Sequence, residues 1–420
     1  MPQTKNKIYY YHLKKCGGTT LNSWLGMLTP DGESWKSVYA QELIPGFMTP
    51  ETRQQYESVA RLTPYLGRII YDHAPLSKHV GHDTFRFSLL RSPIPRLLSQ
   101  IKDWRRLDAS FVRVVDPQLA STIEAVQKES LHEFLNAYAQ SPAGALLNNY
   151  QVKALAASTL GLDAYGISDM EYLLDVALKA LHENFDFIGI AEKQDICRNL
   201  IARHIGTPPV FELANLNTTS PDAVMESELA EANDALVACT RYDSILYEEA
   251  KKLFNQHVSN ETNYDFHEFE RTLASPTLGQ MKGYPRDGGV AFSVRDPLYG
   301  QGFYARDAAN TPNCAVWAGP STTTLLYMPV LPDVCVEVML WVRGYADENI
   351  RNDLQLFLDG EKVTFDRQPA AGAAEVLVAK FKSTRSFVRL EIKALQTVST
   401  QDGDARKRSF CFDAYGWRII

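Results

Sequence analysis

A β-prone run, Tyr9-Tyr10-Tyr11, passes through His12-Leu13-Lys14-Lys15-Cys16 to Gly17-Gly18 and then to helical spacing from Thr19 onward. A strand, a tight glycine turn and a helix start, in that order, belong to an α/β layer fold. Several backbone N–H groups and the positive end of the helix then point at one spot, where Lys15 adds a charge and Thr19 and Thr20 two hydroxyls. Such a loop suits a phosphate-like anion. The Walker A pattern is absent, because Lys15 precedes the glycines instead of following them, and an ATP or GTP hydrolase loses its main support. The plain alternative is a strand-to-helix turn that uses glycine for geometry alone.

Strands and helices continue to alternate to about residue 205. The spacing predicts a strand over residues 7–13 and a helix over 19–28, and Thr49-Pro50-Glu51 reads as the start of a helix running towards residue 62. Further strands are expected at 68–71, 85–90 and 185–190, and helices at 93–106, 119–127, 131–139, 147–157 and 170–182, with one or two closing helices over 222–254. This pattern predicts a largely parallel sheet flanked by helices. A polar stretch at 255–263 interrupts it, and beyond about Asp265 the character changes. Val334, Val336, Val338, Leu340 and Val342 recur with period two, as do Leu354, Leu356 and Leu358 before Asp359-Gly360, and Val388, Leu390 and Ile392. That is an antiparallel β-sandwich. Two domains are therefore expected, at 1–258 and 265–420.

Composition narrows the function classes. The chain has 420 residues and a net charge of −7, yet residues 1–113 hold 16 Lys and Arg against 9 Asp and Glu. The first quarter looks suited to an anion. No RNP, zinc-finger or basic-helix pattern accompanies the excess, so nucleic acid is not expected as a partner. No run approaches the roughly 18–20 apolar residues of a membrane helix, and the polar stretch Met1 to Lys7 is not a signal peptide, so no integral membrane segment is expected. The six cysteines are scattered and form no C-x-x-C pair, which fits a reducing, cytoplasmic setting and no metal site.

A second segment reinforces the first. In Phe85-Arg86-Phe87-Ser88-Leu89-Leu90-Arg91-Ser92-Pro93-Ile94-Pro95-Arg96-Leu97-Leu98-Ser99 an apolar strand ends in Arg91, and a proline opens a helix carrying Ser99 about two turns in. An arginine there can make a forked contact to phosphate, and the serine can add a hydroxyl. Together the two segments resemble the sulfotransferases that use 3′-phosphoadenosine-5′-phosphosulfate (PAPS), in particular the heparan sulfate 2-O-sulfotransferase-like carbohydrate branch. His12-Leu13-Lys14-Lys15-Cys16-Gly17-Gly18-Thr19 is similar to the family's first element, H-[IV]-P-K-[TCA]-G-[GS]-[TS], with Lys14 in place of the usual proline. Arg91 and Ser99 fall on L-R-[DNS]-P-x-x-R-x-x-S. Looser similarities are Asn148-Asn149-Tyr150-Gln151, the stretch from Phe185 to Glu192, and Asp243-Ser244-Ile245-Leu246-Tyr247, so the resemblance covers residues 7 to about 255.

The resemblance implies a P-loop-like sulfotransferase domain that moves a sulfuryl group from PAPS to a hydroxyl of a carbohydrate or glycoconjugate, leaving 3′-phosphoadenosine-5′-phosphate (PAP) and requiring no metal. Lys15, Cys16, Gly17, Gly18, Thr19 and Thr20 would hold the 5′-phosphosulfate, and Arg91 and Ser99 the 3′-phosphate. In-line displacement at sulfur needs one cation, one base and a rigid clamp. Lys15 supplies the cation. His73, in Tyr71-Asp72-His73-Ala74-Pro75-Leu76, resembles the histidine of the family's G-H-x-x-[FY] segment, the proposed general base; a structural histidine is the alternative. His79 and His82 rank below it, and His12 is expected to shape the loop.

Lys102, Arg105 and Arg106 form either a solvated helical face or an acceptor-binding one. Trp24, Trp104 and Tyr150 are read as packing residues, with stacking on adenine or sugar as the alternative. The β-rich half is similar to sandwich modules appended to bacterial glycan-building enzymes. Animal members of the family are normally Golgi-anchored, so the lack of an anchor in this sequence suggests either a bacterial cytoplasmic enzyme or a trimmed piece of a longer chain. Its Trp317 and Trp341 are either sugar platforms or buried core. Two other functions fit the same residues: a nucleotide-dependent phosphotransferase, and a non-catalytic glycan-binding protein on a nucleotide-binding scaffold.

Overall fold

The computed structural model describes residues 7–31, 34–35, 69–72, 80, 83–115, 117–142, 144–211, 223–260, 264–399 and 406–420. Its first half holds β1 (Lys7–Tyr11), α1 (Gly18–Met27), β2 (Ser34–Trp35), β3 (Ile69–Asp72), β4 (Thr84–Leu90) and α2 (Pro93–Arg106). These are followed by α3 (Tyr150–Leu160), β5 (Phe187–Ile190), α4 (Gln194–Ile205) and the 38-residue α5 (Ala223–Asn260), with shorter helices between α2 and α3 and a further helix, Met170–Glu183, before β5. The strands order as β2-β3-β1-β4-β5, and every pairing is parallel. Ile8 to Tyr11 and Phe187, Ile188 and Ile190 are buried, as are Phe85, Phe87, Leu89 and Leu90. Parallel strands covered on both faces read as unbroken apolar runs, which is why these segments stand out in the sequence.

Strand order fixes where a ligand can bind. The connection from β1 runs to one side of the sheet and that from β4 to the other, so the carboxyl ends of β1 and β4 open a crevice between them. The Gly17-Gly18 loop lies at one lip and Arg91 at the other.

Several expected boundaries shift for identifiable reasons. The helix expected at 147–157 begins at Tyr150, because Asn149 takes a left-handed φ of 48° and reaches into α5. Its N–H donates to Cys239 O (2.7 Å), and its Oδ1 accepts from the N–H groups of Tyr242 (2.8 Å) and Asp243 (3.1 Å). A side chain inserted into the helical ladder is tolerated because it satisfies the groups it separates. The closing segment is a single helix, and it runs through the polar stretch to Asn260: those residues are polar but include no glycine or proline, and propagation is easy once a helix is nucleated. The helix expected near Thr49 lies outside the described residues.

Phe266–Thr272 and Ala274–Leu278 are short helices whose Phe269, Ala274 and Leu278 pack into the core of the first half. The rest is antiparallel. One sheet orders as β13 (Glu361–Val363), β12 (Gln355–Leu358), β16 (Phe387–Lys393), β10 (Thr323–Pro329) and β8 (Gly300–Gln301). The other orders as β14 (Asp366–Gln368), β15 (Glu375–Lys382), β11 (Cys335–Tyr345), β17 (Phe410–Ile419), β7 (Gly289–Ser293) and β6 (Tyr284–Arg286), with β9 (Val316–Trp317) also on β17. Val336, Val338 and Leu340 face Leu326, Met328, Leu390 and Ile392 across the sandwich, as period two requires. Asp359 and Gly360 take φ of 52° and 90° and close the two-residue hairpin between Leu358 and Glu361. Trp341 is fully buried on the other face of β11, where its Nε1 donates to Asp287 Oδ2 (2.9 Å). It is core, not a sugar platform. Trp317 is half-buried under Arg408, 5.1 Å from the ring centre.

The two halves interlock. Met27, at the end of α1, belongs to the sandwich core. Arg306 from the sandwich donates to the carbonyls of Gly26 (2.7 Å), Met27 (3.3 Å) and Thr29 (2.8 Å), as well as to Val294 and Asp296 of its own half. A guanidinium on orphan carbonyls at a helix C-terminus also complements the helix dipole. Glu270 accepts from Tyr327 (2.9 Å), Arg385 (2.8 Å) and Arg389 (2.8 Å) and ties the joint a second time. No helix among the described residues is long and apolar enough to cross a membrane.

Candidate functional site

The glycine loop is shaped by contacts on both flanks. Lys15 holds a left-handed φ of 64° and Gly17 one of 80°. A Cβ on Gly17 would fall 1.8 Å from Gln194 Nε2, and one on Gly18 would fall 1.8 Å from His12 Nε2. Both glycines therefore let side chains of the protein press against the loop, leaving its backbone N–H groups to define the concave side. Gln194 donates to Gly17 O (2.9 Å), Tyr150 Oη accepts from the Lys14 N–H (2.9 Å), and the His12 ring stacks on Tyr10 with Nδ1 3.2 Å from Asn22 Nδ2. His12 thus shapes the loop. The N-cap residue Gly17 has no side chain with which to cap α1, and no acidic residue lies in the helix's first turn, which suits an anion at its positive end.

Lys15 Nζ sits 3.0 Å from Asp103 on α2, with the lysine side chain half-buried and the carboxylate exposed. Its charge is held at the loop by a partner that a stronger anion can displace. Thr19 is exposed and Thr20 buried at the start of α1. Cys16 is fully buried, and burial pushes its thiol up to about 12, so it packs instead of reacting.

Arg91 closes the crevice from β4. Its Nη1 donates to Lys15 O (3.1 Å), and Gln151 clamps its backbone, accepting from the Arg91 N–H (2.9 Å) and donating to the Arg91 carbonyl (2.9 Å). The N–H groups of Gln151 and Val152 donate to Asp243 at 3.3 and 2.8 Å, which caps α3 from the facing helix. Burial pushes the Asp243 carboxyl up to about 6 against the pull of Arg96. Arg96, fully buried, donates to Leu146 O (2.7 Å) with its guanidinium 4.8 Å from the centre of the Tyr150 ring. Glu192 accepts from the Ser92 N–H (2.9 Å) and from Tyr247 Oη (3.0 Å). The fold therefore gathers around one crevice the two phosphate-type motifs and the three looser segments of the resemblance, at 148–151, 185–192 and 243–247. Ser99 is half-buried on α2, four positions before Asp103 and so on the same helical face.

Other expected residues sit elsewhere. His73, with His79 and His82, lies outside the described residues; the strand before it ends with Asp72 in register with Tyr11, at the loop end of the sheet. Arg105 is bound to Glu228 (2.9 Å) and to Val126 O (3.0 Å), which gives it a structural role and takes it out of the acceptor-binding face. Trp24, Trp104 and Tyr150 are buried, the first two as core and Tyr150 as the support of Lys14. Sequence reasoning missed Asp103, Gln194 and the clamp role of Gln151, whose pairings span 60 to 177 positions in the last two cases and leave no local pattern.

No protein-family model matches the chain, and no curated protein does. Among solved structures, a family GH115 4-O-methyl-α-glucuronidase with specificity for decorated arabinogalactans aligns at a TM-score of 0.20 and 11% identity, over 89% of this chain and 49% of that one. A cycloisomaltooligosaccharide glucanotransferase of Paenibacillus sp., complexed with cycloisomaltoheptaose, aligns at 0.22 and 8% identity, over 99% of this chain and 58% of that one. The chain spans about half the length of these structures, and similarities of this size carry no argument about its fold or chemistry.

Proposed function

We propose that the chain is a PAPS-dependent sulfotransferase acting on a carbohydrate or glycoconjugate hydroxyl, with a P-loop-like α/β domain. The observation that carries this reading is Arg91: the end of β4, held by Gln151, brings a second cation onto the carbonyl of Lys15, so two phosphate-binding motifs meet in one crevice. A hydrolase loop alone would not need that clamp. The residues fit the group: a helix start without an acidic residue, a displaceable lysine, and an arginine at the facing strand end.

When bound, PAPS supplies an activated sulfuryl group on a phosphosulfate linkage. The N–H groups of the Gly17-Gly18 turn and the Thr19 and Thr20 hydroxyls would hold its 5′ end, Arg91 and Ser99 its 3′-phosphate, and Lys15 would offset negative charge at the phosphate end of the linkage. The acceptor proton goes to a base, for which His73 remains the choice. Lys15→Ala is expected to lower transfer from labelled PAPS to a mixed glycan acceptor by roughly 100-fold or more. Its melting temperature should move little, since an ion pair with an exposed carboxylate contributes only about 0–1 kcal/mol. Unchanged transfer by Lys15→Ala, or by Arg91→Ala at limiting PAPS, would remove the assignment.

A further inference from the structure

Lys15 and Asp103 form an ion pair beside the phosphate loop, with Nζ 3.0 Å from Oδ1. We infer that this pair is a latch released by the cofactor: PAPS draws Lys15 to its phosphate, and the freed Asp103 carboxylate then takes a hydrogen bond from a hydroxyl of the acceptor. Asp103 is thus an acceptor-binding residue that the cofactor unmasks. The inference rests on the sulfotransferase reading and leaves the acceptor's proton to the base named there.

The other carboxylates around the crevice are committed. Glu192 accepts from the Ser92 N–H and from Tyr247 Oη, and Asp243 accepts from the N–H groups of Gln151 and Val152, so donors of the fold itself hold both. Asp103 differs. Among the described residues its carboxylate is paired with Lys15 alone, and its side chain is 51% exposed. The one donor it has is the one that an incoming phosphate claims. An ionised carboxylate offers only acceptor oxygens, and a sugar hydroxyl is a donor that such an oxygen holds with charge assistance.

Rigidity decides which partner moves. Asp103 stands on α2 between the buried Ile101 and Trp104, and Trp104 packs edge-on to Phe134 with ring centres 6.4 Å apart. The helix is anchored there, whereas Lys15 projects a flexible four-carbon stem from the loop. The lysine therefore swings, and the carboxylate stays in place beside the reacting end of the cofactor. Left there without a donor it is repelled by the phosphosulfate, and a hydroxyl bound to it offsets that repulsion. Cofactor and acceptor then favour each other's binding, and by linkage the effect is mutual.

The test uses the full chain, with PAP in titration calorimetry and labelled PAPS with a mixture of neutral and acidic oligosaccharides in transfer. Asp103→Asn removes the charge at little change in size. It is expected to bind PAP about threefold more tightly, because Lys15 no longer has a partner to leave. The KM for the oligosaccharides should instead rise roughly tenfold, by more than kcat falls. Asp103→Glu keeps the charge and should recover part of the acceptor affinity. Weaker PAP binding by Asp103→Asn would make the carboxylate a prop for Lys15 and overturn the inference. A wild-type KM in that variant, or a glutamate variant with no better KM than the asparagine one, overturns it too. A wild-type chain that binds no PAP, or transfers to none of the oligosaccharides, would instead remove the sulfotransferase reading itself.

Discussion

In the α/β half, Gln151 joins Arg91 across 60 positions, Asp243 joins Gln151 and Val152 across 92 and 91, and Gln194 joins Gly17 across 177. In the sandwich, polar pairs reach as far, Arg406 with Asp307 across 99 positions and Arg418 with Glu337 across 81, but these side chains are partly exposed, and the space between the sheets is apolar. Buried polar groups are costly unless each is satisfied, and a network of them rigidifies what it surrounds. The first half bears that cost around one crevice at the carboxyl ends of β1, β4 and β5. The second uses polar groups to trim a sheet surface. Under the proposed function the chemistry belongs to the first half, and the sandwich is joined to it as a support.

A core truncation in the sandwich should separate stability from binding. Leu390→Ala, at a fully buried position between the sheets, is expected to cost 2–5 kcal/mol, on the order of other large-to-small core changes, while the Kd for PAP stays within twofold under folding conditions. Chemical denaturation and titration calorimetry read the two quantities. Gln151→Ala should do the reverse in proportion: about 1–3 kcal/mol of stability from leaving the Arg91 backbone groups unpaired, but at least a fivefold weaker PAP complex. Equal effects of the two substitutions on PAP binding would erase the distinction between the halves.

The smallest effect is a pH dependence. The Asp243 carboxyl stands at about 6 in the fold against an ordinary 3.8. Between those values the folded chain holds a proton that the unfolded chain releases, so this group makes stability fall as pH rises through that window, the loss being complete above about 6. Melting temperatures of wild type and Asp243→Asn, compared from pH 4 to 7, cancel the carboxylates both proteins share. The wild type should lose ground to the variant as pH rises. Parallel curves would show that Asp243 is ionised throughout.

Much of this arrangement is legible in the sequence where local chemistry decides. Ser92-Pro93 marks the start of α2 and Asp359-Gly360 the hairpin, because a proline at a helix start and positive φ at two turn residues are local requirements. The strand-glycine-helix order at Tyr11 to Leu21 likewise announces the loop. What the sequence does not disclose are contacts made by tertiary structure. Asn149 breaks one helix and enters another only because α5 lies alongside, and nothing near Gly17 indicates that Gln194 will fill the space its missing side chain leaves. The lysine at position 14 looks like a defect in the phosphate motif, yet its backbone N–H is held by Tyr150, which supports the loop at that position.

The most direct test is thermal unfolding of the full chain with PAP alone and, separately, with ATP and Mg²⁺. The account predicts that PAP at about 100 times its Kd stabilises the fold by roughly 2.7 kcal/mol and raises the melting temperature, with less effect from ATP and Mg²⁺. No shift with PAP, or a larger one with ATP and Mg²⁺, would contradict it.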